Sequence, residues 1–221
     1  MAIVRSLASS LWEAFRPYNR PILGRCVLCL DPIGSEGLCD QCLADLPWRT
    51  EPLVRGFRVG HPCYASLRYE FPVRRLIANA KYNNNVGLAS LLGKLMTRNL
   101  PPLDWSTVFI CPMPQSLRRH WHRSYNQTWL MAEAIGAHTR ALVNPELLVK
   151  RKHTAPQKGL RRQHRRTNLV GAFEAPVSVD GLRIVLVDDV ITTGATFAAA
   201  ANCLARRGAR EVVCLAAAAV H

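Results

Sequence analysis

Residues 183–208, RIVLVDDVITTGATFAAAANCLARRG, restrict this chain more than any other stretch. The run 183–187 reads as a buried strand, and it ends in two adjacent carboxylates, Asp188 and Asp189. A Thr-Thr-Gly turn then opens directly into an alanine-rich helix expected over 195–207, followed by a strand over 212–218. Gly208, placed just after Arg206 and Arg207, reads as a helix C-cap behind cationic last-turn residues.

The same alternation extends upstream. A short strand after Pro62, a helix over 73–82, an Asn-rich turn and a second helix to about Met96 precede a break at LPPLDW. A strand over 107–111, a helix over about 126–138 and the strand-like ALVNPELLV come next. Strands that alternate with helices predict an α/β fold, a mostly parallel sheet with helices on both faces.

Ligands of such sheets bind at the carboxyl ends of the strands, where Asp188 and Asp189 fall. The turn Thr192-Thr193-Gly194-Ala195-Thr196 offers backbone N–H groups and hydroxyls at a helix N-terminus, which suits a phosphate. Adjacent carboxylates cannot also hold that phosphate, but they accept hydrogen bonds from paired ribose hydroxyls. Acids plus cradle therefore describe a ribose 5-phosphate site. The plainer alternative is a pair of exposed strand-end acids beside a helix cap.

Charge points the same way. Among 221 residues, 29 Lys and Arg face 15 acids, a net +14, and residues 105–221 hold 16 of the bases and 7 of the acids. Anionic partners are expected: nucleic acid, phosphorylated metabolites or acidic lipid. Residues 150–168 carry eight Lys or Arg and no acid. That stretch should be extended until an anion neutralises it. No run approaches the roughly 20 apolar residues of a membrane span. The start, MAIVRSLASSLWEAFRP, is interrupted by Arg5 and Glu13, so residues 1–19 read as an amphipathic helix packed on the body, with a membrane-surface anchor as the alternative.

Eight cysteines form two groups. Cys63, Cys111, Cys203 and Cys214 stand in apolar surroundings as ordinary buried thiols. Cys26, Cys29, Cys39 and Cys42 form C-x2-C-x9-C-x2-C, two knuckles that complete the tetrahedral thiolate shell of structural Zn2+. Two disulfides are the alternative, disfavoured in a chain with no export signal, which is expected in the reducing cytoplasm. Residues 20–50 are too few to bury a core, so metal would supply the folding energy of this module, and residues 51–221 would form the α/β domain.

VLVDDVITTGAT resembles the 5-phosphoribosyl-1-pyrophosphate (PRPP) motif of type I phosphoribosyltransferases. Together with LCDQCLADLPW, IANAKY, CPMPQSLRRHWHRSYNQ and APQKGLRRQHRRTNLVGAF, in that order, it is similar to the ComF family of competence-associated phosphoribosyltransferase-like proteins, over roughly residues 24–220. The resemblance implies that Asp188 and Asp189, the candidate catalytic residues, bind the ribose hydroxyls. It implies that Thr192, Thr193, Gly194, Ala195 and Thr196 bind the 5-phosphate, and that Pro112, Met113, Pro114 and Gln115 lie where pyrophosphate is held. Mg2+ would arrive with PRPP. The basic stretch, with Lys150, Arg151, Lys152, Lys158, Arg161, Arg162, Arg165 and Arg166, matches the loop that closes over substrate.

Purine-salvage relatives usually carry an aspartate where this chain has Thr192, and the ITTG form is closer to the orotate type. The resemblance implies a transferase that moves ribose 5-phosphate from PRPP to an acceptor, in a protein that supports DNA uptake in natural transformation alongside competence proteins. A second reading makes the site a PRPP sensor on a single-stranded-DNA-binding protein. That surface would include Arg118, Arg119, Arg123 and the interleaved His120, Trp121, His122, Tyr125 and Trp129, although for Trp129 a place in a helix core is the preferred reading.

Overall fold

The structure is a computed structural model that describes residues 24–33, 37–55, 59–82, 85–115, 126–150 and 171–220. The amphipathic helix expected over 1–19 lies outside the described residues. In chain order the elements are α1 (Asp40–Ala44), β1 (Cys63–Arg68), α2 (Val73–Tyr82), α3 (Val86–Met96), β2 (Val108–Pro112), α4 (Gln127–Thr139), β3 (Leu142–Val143), β4 (Val149–Lys150), β5 (Phe173–Glu174), β6 (Arg183–Ile191), α5 (Ala195–Arg206) and β7 (Glu211–Ala219).

Five strands form one sheet in the order β1-β7-β6-β2-β3, and every neighbouring pair is parallel. β6 and β7 are apolar almost throughout because both faces are covered, which removes the alternation expected of a half-exposed strand. On one face Ile184, Leu186, Cys214 and Ala216 pack against Phe197, Ala201 and Leu204 of α5. On the other, Val185, Val187, Val213 and Leu215 meet Leu76 of α2, Leu92 of α3 and Met131 and Ile135 of α4. Burying one such Leu or Ile contributes about 1.5–3 kcal/mol.

α3 and α4 approach closely at Gly93. A methyl group there would lie 2.7 Å from both Cα and O of Met131, so only glycine allows this helix pair its spacing. The outer edge of β1 is covered by residues 47–54, which run antiparallel to it: Arg49 N donates to Ser66 O at 2.9 Å and Val54 N to Cys63 O at 2.7 Å. Pro47 and Pro52 are tolerated because this is an edge.

Two elements differ from the sequence expectation. The strand read over 183–187 continues through both acids to Ile191, because β7 runs on beside it, with Asp188 opposite Ala216 and Val190 opposite Ala218. ALVNPELLV is no single strand. Asn144 caps a 3-10 turn at Pro145–Leu147, so Leu142–Val143 joins the main sheet while Val149–Lys150 pairs antiparallel with Phe173–Glu174.

Candidate functional site

Parallel strands place all carboxyl ends on one side of the sheet. From β6 the chain passes through α5 to β7 on one side, and from β2 through α4 to β3 on the other. The connections diverge between β2 and β6, which opens a crevice there, the usual ligand position in such sheets. Pro112 of β2 is in register with Val187 of β6, so the 112–115 loop and the two acids meet across that crevice.

Asp188 is half-buried, and its Oδ1 accepts from the backbone N–H of Asp189 at 2.8 Å. Burial, and then the charge of Asp189, push its carboxyl up to about 7, against the pull of Lys81 and Lys150. Asp189 is 5% exposed. Its Oδ1 lies 2.8 Å from Lys81 Nζ, and its Oδ2 accepts from Gln127 Nε2 at 3.0 Å. The two acids therefore have unlike surroundings despite being neighbours.

The turn expected to cradle a phosphate, Thr192–Thr196, runs from the end of β6 into the start of α5. Gly194 adopts φ 73°, a left-handed conformation natural to glycine, and as the N-cap of α5 it has no side chain to bond the first turn. Thr192 is exposed, Thr193 and Thr196 are half-buried, and the Thr193 hydroxyl accepts from Ala195 N at 3.4 Å. The first-turn N–H groups of α5 thus face a position where an anion is favoured.

The 112–115 loop offers less than its length indicates. Pro112 and Pro114 have no N–H, and Met113 N donates to Val187 O at 2.8 Å. The loop is fastened to α4 from both sides: Met113 O accepts from Thr128 Oγ1 at 2.9 Å, and Gln115 Nε2 donates to Asn126 Oδ1 at 3.1 Å and Gln127 Oε1 at 2.6 Å. Lys81 and Gln127 were not singled out from the sequence. Both lie in strings that carry the family resemblance, IANAKY and RSYNQ, but nothing in their spacing places them beside Asp189.

Lys150 lies in β4 with its ammonium 5.5 Å from the centroid of the Phe173 ring, and it contributes to the field at Asp188. Arg151, Lys152, Lys158, Arg161, Arg162, Arg165 and Arg166 lie outside the described residues, as do Arg118, Arg119, His120, Trp121, His122, Arg123 and Tyr125. Trp129 is half-buried on α4.

The four knuckle cysteines converge, their sulfurs all within 4.8 Å of one another, and none is in a disulfide. Leu28 N and Cys42 N donate to the sulfurs of Cys26 and Cys39 at 3.5 and 3.4 Å, contacts that favour thiolates. Asp31 Oδ2 lies 3.1 Å from Cys29 Sγ, a contact made by a thiol and lost on conversion to a metal-bound thiolate. This cluster can hold a metal ion. Its module packs on the main core through Val27, Leu28, Leu38 and Leu43, and Trp48 Nε1 donates to Leu43 O at 2.9 Å. Cys63, Cys111, Cys203 and Cys214 are buried, as their apolar surroundings predict.

A parallel sheet with acids and a glycine cradle at its crevice defines a type I phosphoribosyltransferase-like protein, and residues 145–221 match the phosphoribosyl transferase domain family. The chain is 30% identical over 215 residues to the DNA utilization protein YhgH of Escherichia coli (strain K12), covering 86% of this chain and 94% of that protein. It is 31% identical over 205 residues to competence protein F of Haemophilus influenzae, covering 86% and 87%, and 25% identical over 188 residues to competence protein ComFC of Bacillus subtilis, covering 83% and 72%. The chain belongs to the ComF family. No helix among the described residues is long and apolar enough to cross a membrane.

Proposed function

We propose that this protein binds PRPP with Mg2+ and transfers ribose 5-phosphate to an acceptor with release of pyrophosphate, in the service of DNA uptake. The observation that carries the reading is the position of Asp188 near the carboxyl end of β6, seven residues ahead of Ala195, where α5 begins behind a glycine N-cap. On this reading the carboxylate takes the hydroxyls of a ribose 5-phosphate and the N-terminus of α5 takes its phosphate. Departure of pyrophosphate leaves a cation-like ribose, so a positioned acceptor and nearby negative charge suffice to accelerate the step. The role in DNA uptake rests on the names of the relatives from H. influenzae and B. subtilis.

The four-cysteine cluster is proposed to hold one structural Zn2+, since an all-thiolate tetrahedral donor set with no open position suits that ion. A second reading, a PRPP sensor that binds single-stranded DNA without transfer, is favoured by the net charge of +14. Incubation with PRPP, Mg2+ and candidate acceptors separates the two. Pyrophosphate release supports transfer; binding of labelled oligonucleotide that weakens steeply with salt, with no pyrophosphate released, supports the sensor.

A further inference from the structure

The adjacent acids make different bonds, and the difference has consequences for both. Asp189 is 5% exposed and has each carboxylate oxygen engaged, one by Lys81 Nζ at 2.8 Å and the other by Gln127 Nε2 at 3.0 Å. Gln127 is itself held by Gln115 Nε2 at 2.6 Å. Each oxygen of Asp189 keeps a second lone pair, but with the carboxylate 5% exposed a pair of ribose hydroxyls has no surface to approach unless Lys81 or Gln127 moves aside, and that would leave a buried charge short of its partner, which is strongly unfavourable. Asp188 is half-buried and is bonded through one oxygen to the backbone of its neighbour. It is the acid better placed to accept hydroxyls.

We propose that the two acids have separate tasks: Asp189 is the anchor that fixes Lys81 at the floor of the crevice, Lys81 is a positioning residue that holds the acid pair at a single net negative charge beneath a polyanionic sugar phosphate, and Asp188 alone accepts the ribose hydroxyls. The proposal rests on the PRPP reading of this site. The groups that act on Asp188 are Asp189 on its own strand, Lys81 from α2 and Lys150 from β4, and, added to burial, the charge of Asp188 in turn raises the thiol of Cys214 on β7. Without Lys81 the fully ionised pair would carry two uncompensated charges, so Asp188 keeps its proton to higher pH, and the ionised pair, once formed, repels the polyanion. Only ionised Asp188 accepts from both hydroxyls, so PRPP binding should strengthen as pH rises through its titration, at a higher pH when Lys81 is gone. The phosphates of PRPP titrate identically in every variant, so a difference between variants reports the protein.

The test is calorimetric titration of the full chain with PRPP and Mg2+ between pH 6 and 9, with melting temperatures in parallel. The variants are D188N, D189N, K81M, K81R and K81M/D189N. D188N should lose at least about a hundredfold in affinity without a lower melting temperature, as for a charged group that meets ligand and is not needed for folding. D189N should melt earlier and lose about tenfold or less, since its loss acts through Lys81. K81M should melt earlier and move the pH of half-maximal binding up by about one unit, and K81R should restore both. In K81M/D189N the fall in melting temperature should be smaller than the two single falls added. The proposal is overturned if D189N loses binding as completely as D188N while melting normally, or if K81M leaves the pH profile unchanged. Absence of PRPP binding by the unaltered chain overturns the PRPP reading instead; the anchor is then decided by the melting temperatures, and strictly additive falls sink it.

Discussion

Gln115 Nε2 and Gln127 Oε1 lie 2.6 Å apart, a bond that ties the loop after β2 to the first turn of α4 and, through Gln127 Nε2, to Asp189. One amide thus receives from the loop and donates to the acid. The crevice is fixed by side chains from both of its walls.

Gln127→Leu keeps the volume and removes both bonds. The buried Asp189 carboxylate then lacks one donor, at a cost of about 1–3 kcal/mol. Chemical denaturation should show this loss together with weaker PRPP binding. Equal stability of the variant would mean that the amide is incidental.

The state of Asp188 makes stability depend on pH. Its carboxyl is pushed up to about 7, whereas the unfolded chain releases this proton in the ordinary carboxylate range near 4. Between those values the folded state holds a proton that the unfolded state has lost, so the Asp188 contribution to stability falls as pH rises and levels off above 7. Asp188→Asn removes the penalty. The variant should melt above the unaltered protein at pH 8, and the gap should close near pH 4. A gap independent of pH would contradict the assignment.

Gly93→Ala should be costly because Gly93 is buried where α3 meets α4. The added methyl meets backbone atoms of Met131 at 2.7 Å, which no rotamer change relieves. Separation of α3 from α4 should cost about 1–3 kcal/mol, an overpacking penalty that outweighs the better helix propensity of alanine. A stabilised Gly93→Ala protein would show that these helices are not so close.

Metal removal should be felt beyond the cysteine module, because Val27, Leu28, Leu38 and Leu43 pack on the core beneath α3. Elemental analysis should find one zinc per chain. Prolonged treatment with a strong chelator, or Cys39→Ser, should lower the main melting transition itself. An unchanged transition in metal-free protein would confine the effect to residues 24–46.

The helices at 73–82 and 195–207 were readable to within a residue, since their apolar spacing and the Gly208 stop are local signals. The acids and the Thr-Thr-Gly turn were equally plain, because strand, turn and helix are consecutive. Lys81 was not. At the end of a helix it reads as a partner for the helix dipole, and only the long-range packing of α2 brings it to Asp189. PWRTEPLV, with its two prolines, carried no strand expectation, yet it pairs along the edge of β1, where a missing N–H can face outward. The extension of β6 through two charged residues depends on β7 running beside it, which no local pattern in 188–191 announces.

The central claim, a PRPP site with Asp188 at its sugar end, is tested most directly by calorimetric titration of PRPP and Mg2+ into the full chain and into Asp188→Asn. The account predicts saturation of one site per chain in the unaltered protein and no measurable binding in the variant. Absence of binding in the first, or equal affinity in both, would contradict it.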